Sequence, residues 1–446
     1  MNLNAIHKVY FIGIGGIGMS AIAHYFASNG KQVAGYDKTP SQITRALEVK
    51  GIEIHFEDAL DKIPISFFKK EETLIVYTPA IPENHVELNY FIEHNFIVLK
   101  RAEILGMITE TTFCLAVAGT HGKTTTSSIL GHIMAQVGAT SFLGGIAENY
   151  NSNLILGDDN ISVVEADEYD RSFLQLSPDI ACITSMDADH LDIYGDSDSL
   201  NTSFIEFAAK VSQTLIVAKG LPLNGITYGI DEPSDYKAHN LKIERGKYIF
   251  DVKTPSAEVN NIEFHLPGRH NVMNALAAIA MADIYGISLE NIKHRLSTFM
   301  GVKRRFSYKI KTDNLVLIDD YAHHPTELNA AIDAARTLYP TKKITGVFQP
   351  HLFSRTKDFV DGFAESLNEL DEIVLLDIYP ARELPIENVT SQIILDKITN
   401  SNKKIVSKQD LLRLYPNKDS EIILVLGAGD IDKLLEPLRD SWLKMN

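Results

Sequence analysis

The feature that most constrains the fold is a glycine-rich turn between an apolar run and a helical pattern. The run at 113–117 predicts a buried strand, and apolar residues recur at helical spacing from Ile129 to Val137. The turn contains Gly119, Thr120, His121, Gly122, Lys123, Thr124 and Thr125. In this setting backbone N–H groups can approach phosphate oxygens, and the helix N-terminus adds a partial positive charge. The pattern therefore predicts a phosphate-binding loop that holds a nucleoside triphosphate.

Two side chains of this loop have expected roles. Lys123 would reach the β- and γ-phosphates, and the Thr124 hydroxyl would bind Mg²⁺. The strict motif has a glycine five residues before Gly122, where this chain has Val117. A Gly-Lys-Thr sequence also occurs in ordinary loops, but its position between a strand and a helix favours the phosphate loop.

Composition limits the class of protein. With 446 residues, of which 45% are hydrophobic and 22% charged, the chain has the length of about three globular domains. Its net charge of −16 disfavours binding to nucleic acid. We expect a cytoplasmic protein without membrane contact, because no apolar run is long enough for a span and the N-terminus lacks signal-peptide features. Cys114 and Cys182 lie in apolar runs and are expected to be buried thiols.

A second glycine turn follows the first predicted strand, at 9–12. It runs from Gly13 to Gly18, leads into a helix at 19–28 and precedes a second strand that ends at Asp37. This order matches the dinucleotide fingerprint, whose acid about twenty residues on can bind ribose hydroxyls. Both NAD and a nucleotide-sugar diphosphate have a pyrophosphate that could bind at this helix N-terminus. A purely structural turn is the remaining alternative.

The strand at 73–77 ends in a loop that contains Thr78, Pro79 and Ala80. Ligands of open α/β sheets bind beyond the carboxyl ends of strands, so this loop is expected to contact the nucleotide. A proline-rich connector is the alternative. A further strand at 97–99 precedes Arg101, where we expect the link to the next domain to begin.

Acidic residues follow two predicted strands of the central domain. The strands at 161–164 and 180–183 lead into Glu165-Ala-Asp-Glu168 and Asp187-Ala-Asp-His190. Carboxylates at strand ends beside a phosphate loop hold the Mg²⁺ of nucleotide sites, which favours metal binding by the first group over a solvated acidic turn. For the second group, a second metal site and a surface histidine both remain open.

Two asparagines begin an alanine-rich helical stretch. Asn271 and Asn274 share one helix face, where their amides could pair with a base edge or cap the helix. The following segment, 301–306, carries adjacent cations that include Arg305 and resembles a hinge between domains.

The last part of the chain predicts another doubly wound sheet. Its predicted strands, which alternate with helices, lie at 315–318, 344–348, 373–376 and 422–426. The first strand is followed by His323 and His324, and the second by His351 and Arg355. These side chains suit an anionic ligand if the two strand ends meet, and unrelated surface residues are the alternative.

Taken in order, these motifs resemble those of the Mur ligases over the whole chain. They are most similar to the branch of that family that joins L-alanine to UDP-N-acetylmuramate. The segments that carry the resemblance are 13–20, 119–124, 165–168, 187–190, 270–275, 319–327 and 349–351. The phosphate loop of this family reads Gly-Thr-x-Gly-Lys-Thr, which accounts for Val117. The chain departs from the family at Ser185, where Asn is frequent, and at Leu352, where Arg is common.

The resemblance implies an α/β fold of three domains. A Rossmann-like domain at 1–105 would bind the UDP-sugar, a P-loop ATPase domain at 106–303 would bind ATP, and a Rossmann-like C-terminal domain would occupy 304–446. The implied reaction joins L-alanine to the carboxylate of UDP-N-acetylmuramate through an acyl phosphate, with ATP and Mg²⁺, and releases ADP and phosphate for peptidoglycan precursor synthesis. The implied state is a monomer or a homodimer.

The resemblance also assigns residues. ATP would contact Gly119, Thr120, His121, Gly122, Lys123, Thr124, Thr125, Asn271, Asn274, Arg305 and Asp320. The substrates would contact Gly15, Gly16, Ile17, Gly18, Asp37, Thr78, Ala80 and Tyr321. Metal ions would be bound by Thr124, Glu165 and His190, and the catalytic set would be Lys123, His190, His323, His351 and Arg355.

Three other functions remain open. A related ligase adds a tripeptide to the same nucleotide, although the first glycine turn favours the L-alanine branch. An NAD-dependent oxidoreductase would explain that turn and Asp37 but would not need the phosphate loop. A non-catalytic nucleotide sensor would bind ATP without releasing phosphate.

Overall fold

The computed structural model describes residues 6–188, 194, 196–244, 246–381, 383–417 and 419–445. Its architecture is α/β, with three sheets in which parallel pairing predominates. This confirms the predicted fold class. Within the described ranges, every helix is too short or too polar to cross a lipid bilayer.

The first sheet is parallel throughout. Its elements are β1 (Lys8–Ile12), α1 (Ile17–Ser28), β2 (Gln32–Tyr36), α2 (Gln42–Val49), β3 (Glu53–His55), β4 (Thr73–Tyr77), α3 (Val86–Glu93), β5 (Ile97–Lys100) and α4 (Arg101–Glu110), with 3₁₀ turns at Leu60–Lys62, Ile65–Phe68 and Lys70–Glu72. The strand order is β3-β2-β1-β4-β5. The order reverses between β1 and β4, so the first glycine turn lies at the position where such sheets bind ligands.

The second sheet has ten strands. Its elements are β6 (Phe113–Ala118), α5 (Lys123–Met134), β7 (Ala139–Ala147), β8 (Ser152–Ile155), β9 (Asp158–Glu165), β10 (Ile180–Ile183), α6 (Ser197–Ala209), β11 (Thr214–Ala218), β12 (Ile226–Ile230), β13 (Tyr236–Glu244), β14 (Lys247–Lys253), β15 (Glu258–Phe264), α7 (Arg269–Tyr285) and α8 (Leu289–Ser297), with 3₁₀ turns at Ala135–Val137 and Tyr169–Gln175. The order is β15-β14-β13-β12-β11-β10-β6-β9-β7-β8. β6 pairs in parallel with β9 and β10, whereas β8 runs antiparallel to β7.

The third sheet forms the last part of the chain. Its elements are β16 (Ser307–Lys311), β17 (Val316–Asp320), α9 (Pro325–Leu338), β18 (Ile344–Phe348), α10 (Phe353–Asp358), α11 (Val360–Leu367), β19 (Glu372–Leu375), α12 (Ser391–Lys397), β20 (Lys403–Ile405), α13 (Lys408–Leu414), β21 (Ile422–Leu426) and α14 (Leu435–Met445), with a 3₁₀ turn at Asp430–Leu434. The order is β16-β17-β21-β18-β19-β20. Only the pairing of β16 with β17 is antiparallel among the described strands of this sheet.

The chain divides into two compact units. One contains most of the chain up to His239 together with Val252–Asn260 and Asn274–Phe299, and the other contains the remaining internal segments and the chain from Met300 onward. The three domain ranges given by the resemblance stay a prediction.

One apolar core runs through the first unit. It joins Phe11 of β1 and Ile22 of α1 to residues of the second sheet, such as Phe142 and Leu154. Helix α1 packs on β7 and β8, and Asn153 Nδ2 donates to Ser20 Oγ over 2.9 Å. Helix α1 therefore links the first sheet to the second within this unit.

Local predictions held to within a few residues at most strands. The expected buried thiols are confirmed, since Cys114 and Cys182 are buried and free, and burial raises the pKa of each to about 12. The proposed cap at Asn271 is wrong, because α7 already begins at Arg269. Asn271 Nδ2 instead donates to the carbonyl of Pro267, 2.6 Å away.

A buried histidine makes the first unit sensitive to acid. His132 on α5 is 4% exposed, with Nδ1 2.9 Å from the Tyr150 hydroxyl and Nε2 3.0 Å from Thr298 Oγ1. Burial, followed by the charge of Arg295, lowers the pKa of His132 to about 4. An unfolded histidine titrates near 6.5, so between these values the unfolded chain binds a proton that the folded chain lacks. The contribution of His132 to stability is therefore complete above pH 6.5 and is lost as the pH falls to about 4.

We expect H132Q to remove this part of the acid dependence. Between pH 6.5 and 4, the free energy of unfolding of the variant should fall by about 2 kcal/mol less than that of the unmodified chain. Urea unfolding at stepped pH measures the difference. H294Q, which alters an exposed histidine on α8, is the control and should keep the original slope. Equal slopes for H132Q and the unmodified chain would contradict the prediction.

Candidate active site

The phosphate loop lies at the carboxyl end of β6, in the interior of the second sheet. Gly122 is the N-cap of α5 and has a left-handed conformation, with φ at 83°. Within the described part of the chain, no side chain caps this helix end. The N–H groups of the first turn have no acceptor inside the helix, so they are available to phosphate oxygens.

Lys123 is folded back over its own loop. Its Nζ donates to the carbonyl of Gly119 over 2.6 Å and lies 2.7 Å from Glu168 Oε2. Burial works against the charged amine, but the nearby carboxylates of Glu168, Asp167 and Glu165 outweigh it and raise the pKa of Lys123. Lys123 therefore keeps its positive charge. Glu168 is buried as the partner of that charge.

Thr124 and Glu165 form the part of the site that suits a metal ion. The Thr124 hydroxyl donates to Glu165 Oε1 over 2.9 Å, and Glu165 Oε2 accepts the N–H of Gly144 over 2.9 Å. A hydroxyl and a carboxylate are oxygen ligands of the type that Mg²⁺ prefers, with its other positions filled by water and phosphate. These two residues therefore fit one Mg²⁺.

The expected second metal group cannot be placed. His190 and Asp189 lie outside the described residues. In the ranges that are described, no group of three or more His, Cys, Asp or Glu side chains could hold a metal ion. The metal role of His190 thus stays a prediction.

Residues from two neighbouring elements support the phosphate loop. Ser185, after β10, accepts the N–H of His121 over 2.8 Å and lies 2.9 Å from Thr120 Oγ1. Asn274 on α7 accepts from the Thr126 hydroxyl over 3.3 Å. The family departure at Ser185 therefore gives the loop a direct hydrogen bond. Asn274 lies against the loop, and its contact with the nucleotide stays a prediction.

The first glycine turn forms a second candidate anion site. Gly16 is the N-cap of α1, and among the described residues no side chain caps this helix. The N–H of Gly15 donates to Asp37 Oδ2 over 2.7 Å, so Asp37 supports the turn. A Cβ placed on Gly13 would lie 2.6 Å from Thr78 Cγ2, which shows that the loop after β4 reaches the turn. Ala80 is exposed further along that loop.

The strand ends of the third sheet bring two of the predicted histidines together, whereas His324 packs on Phe359. β17, β21 and β18 are neighbours, and the rings of His323 and His351 lie 6.0 Å apart. The His351 ring also stacks on Tyr379 at 5.7 Å, and His323 Nδ1 lies 3.1 Å from Glu327 Oε2. Arg355 on α10 is 7% exposed. The two histidines, Tyr379 and Glu327 come from different segments at this edge of the sheet and form one cluster.

Two of the predicted nucleotide residues, Asp320 and Arg305, lie beside that cluster. Asp320 accepts the N–H of Phe306 over 2.7 Å, and burial raises the pKa of Asp320 to about 6. Arg305 Nη1 lies 3.7 Å from Glu327 Oε1, and its guanidinium is 5.4 Å from the centre of the Tyr321 ring. Asp320, Tyr321 and Arg305 are therefore part of one polar surface.

Three protein-family models match this chain in succession. The Mur ligase family catalytic domain matches residues 8–112, the Mur ligase middle domain matches 117–282, and the Mur ligase glutamate ligase domain matches 304–429. The chain belongs to the Mur ligase family.

Individual relatives of this Mur ligase extend over its whole length. The UDP-N-acetylmuramate–L-alanine ligases of Flavobacterium johnsoniae and Flavobacterium psychrophilum are each 60% identical to it, over 443 and 439 residues, with 98% of both chains covered in each case. Among solved structures, the UDP-N-acetylmuramate–alanine ligase of Thermotoga maritima is 27% identical with a TM-score of 0.85, covering 98% of this chain and 100% of that one.

The Mur ligase motifs did not reveal three residues that the structure places at the sites. Arg101 lies against the first glycine turn, Glu168 pairs with Lys123, and Glu327 contacts both Arg305 and His323. Glu168 and Glu327 lie inside motifs that the sequence analysis identified, but the sequence did not predict which cations they pair with. For Arg101 the available signal was its position directly after the carboxyl end of β5.

We expect G122A to impair the phosphate loop of this Mur ligase. A Cβ on Gly122 would lie 2.5 Å from Asn274 Oδ1, and a left-handed alanine costs roughly 1–2 kcal/mol. Binding of a non-hydrolysable ATP analogue, measured by calorimetry, should weaken at least tenfold. G220A is the matched control, because Gly220 has φ at 95° with open space around its α-carbon. Similar analogue binding by both variants would refute this account of the loop.

Proposed function

We propose that this chain is an ATP-dependent ligase that joins L-alanine to the carboxylate of UDP-N-acetylmuramate and releases ADP and phosphate. The observation that carries the proposal is the full-length similarity to ligases of this name, at 60% identity. The phosphate loop supports it, since Lys123, Thr124 and Glu165 lie together in the first unit. The reaction would take place in the cytoplasm.

The chemistry follows from charge. A carboxylate is a poor electrophile, so ATP converts the muramoyl carboxylate to an acyl phosphate before the amine attacks. Both reactants are anions, and Lys123 would offset their repulsion and the charge that develops on the transferring phosphoryl group. When Mg²⁺ is bound, Thr124 and Glu165 would hold it, and it would neutralise charge on the phosphate oxygens.

Lys123 would exchange partners during ATP binding. In the structure its amine is bonded to Glu168 and to the carbonyl of Gly119. Phosphate oxygens offer the same amine several anionic acceptors near the N-terminus of α5. Glu168 would thereby keep Lys123 charged and close to its working position.

The nucleotide sugar would occupy the first glycine turn. There the N-terminus of α1 would take the diphosphate at Gly15, Gly16, Ile17 and Gly18. Thr78 and Ala80 belong to the adjacent loop. Asp37 would act by supporting the turn, because one of its oxygens is already engaged by Gly15.

The amino acid would be received by the polar cluster of the second unit. Its carboxylate suits Arg355 and His351, and its amine must be neutral to attack the acyl phosphate. His323 is paired with Glu327, and either group could accept the proton that the amine loses. An acyl phosphate is easily hydrolysed, so exclusion of water from the reacting groups is part of the proposal.

Phosphate release tests the proposed reaction. We expect release from ATP and Mg²⁺ only when both UDP-N-acetylmuramate and L-alanine are present. Glycine and L-serine measure the strictness of the pocket, since one methyl group discriminates by only about 1–3 kcal/mol. Phosphate release with a tripeptide, and none with L-alanine, would show that the chain is a tripeptide ligase. Absence of phosphate release with every amine would refute the ligase activity. Tight binding of NAD would then point to an oxidoreductase.

We expect K123A to abolish phosphate release while UDP-N-acetylmuramate still binds. The lysine serves the phosphate loop, whereas the diphosphate would bind at the separate turn before α1. Calorimetry with the nucleotide sugar and a phosphate assay on the same sample give both values. K219A, at an exposed lysine after β11, should leave both unchanged. Loss of sugar-nucleotide binding in K123A would argue against two separate anion sites.

A further inference from the structure

One cation lies between the two candidate anion sites of the first unit. Arg101 is the first residue of α4, directly after β5, and its side chain is 24% exposed. Its Nη2 donates to Asp167 Oδ2 over 3.1 Å. Its other edge lies against Gly18, where a Cβ would collide with Nη1 and lie 3.1 Å from Cδ.

The contact with Arg101 explains the glycine at position 18. Gly18 is the second residue of α1 and has helical backbone geometry, so its conformation does not require glycine. Glycine is required here by the lack of space, because any larger side chain would occupy the volume of the Arg101 guanidinium. Glycine at this place in the fingerprint usually allows close packing of helix and strand. Here it admits a charged group to the N-terminus of α1.

The charge at this helix end is suited to an anion. The first turn of α1 contains no acidic side chain. The carboxylate of Asp37 lies beside this helix end, but its Oδ2 accepts the N–H of Gly15, which precedes the helix. Within the described ranges, the Arg101 guanidinium donates one hydrogen bond, to Asp167, which leaves further N–H groups on its planar fork. A guanidinium group can bind a phosphate through two parallel N–H···O hydrogen bonds.

We propose that Arg101 binds the diphosphate of the nucleotide sugar together with the N-terminus of α1. The proposal rests on the proposed function, since it names a further binding residue for that substrate. Asp167 holds the guanidinium in place from the other side. Asp167 and Glu168 are consecutive, so Arg101 and Lys123 are anchored to neighbouring residues of one loop. Arg101 thereby positions the sugar nucleotide relative to the phosphate loop.

Binding of UDP and of UDP-N-acetylmuramate to R101Q tests the proposal. Losing a charge-assisted hydrogen bond should weaken both ligands by about 10- to 100-fold. The affinity for a non-hydrolysable ATP analogue should stay the same, and R101K should recover part of the loss. R413Q removes an arginine with 76% exposure in the other unit and should bind all three ligands normally. Calorimetry without turnover gives these affinities even if the proposed reaction is not observed.

A variant at Gly18 provides an independent test. In G18A the new methyl group would displace the end of the Arg101 side chain, so this variant should reproduce the weaker UDP binding of R101Q. The double variant G18A/R101Q should then bind UDP no more weakly than R101Q alone. Additive losses in the double variant would overturn the proposal, because the two residues would then act separately.

Two further results would also overturn it. An R101Q variant that binds UDP normally but UDP-N-acetylmuramate weakly would show that Arg101 contacts the sugar or its carboxylate and not the diphosphate. Equal losses for UDP and the ATP analogue, together with a lower melting temperature, would show a purely structural link between α4 and the loop after β9. The D167N variant tests the role of Asp167 in holding the Arg101 guanidinium. UDP binding should weaken less in D167N than in R101Q.

Discussion

The candidate site depends on the parallel pairing of β6 with β9 and β10. Parallel strands end at the same edge of a sheet, so the phosphate loop, Glu165 and Ser185 are brought together by backbone pairing before any side chain contributes. The loop then supplies N–H groups, and the neighbouring strand ends supply carboxylates and hydroxyls. Moving any one strand by a single residue would turn these side chains to the opposite face.

Carboxylates in this site serve positive groups of the protein as well as the expected metal. Glu168 balances Lys123, Asp167 balances Arg101, and Glu165 accepts from Thr124 and Gly144. Buried charges without partners would be costly, so the acidic loop stabilises the cations on which anion binding depends. The segment directly after it, at Asp170 and Arg171, has left-handed backbone angles that are uncommon outside glycine.

Much of this arrangement could be predicted from local sequence. The glycine turns, the strands before them and the acids after β9 are short-range patterns that the structure reproduces. Contacts between distant segments could not be predicted in this way. Arg101 and Gly18 are adjacent only because α4 and α1 pack together, and the engagement of Asp37 by Gly15 is visible only in the folded turn. Asn271 faces back to Pro267, which spacing along a helix does not reveal.

The apolar core shared by the first and second sheets fixes the distance between the two candidate anion sites of this enzyme. Because α1 is packed directly on β7 and β8, the glycine turn before α1 and the phosphate loop before α5 stand at a separation set by side-chain packing. If the diphosphate binds at the turn and the carboxylate reacts at the phosphate loop, as proposed, the sugar between them must match this separation. Selection among sugar nucleotides would then come from span as much as from any single contact.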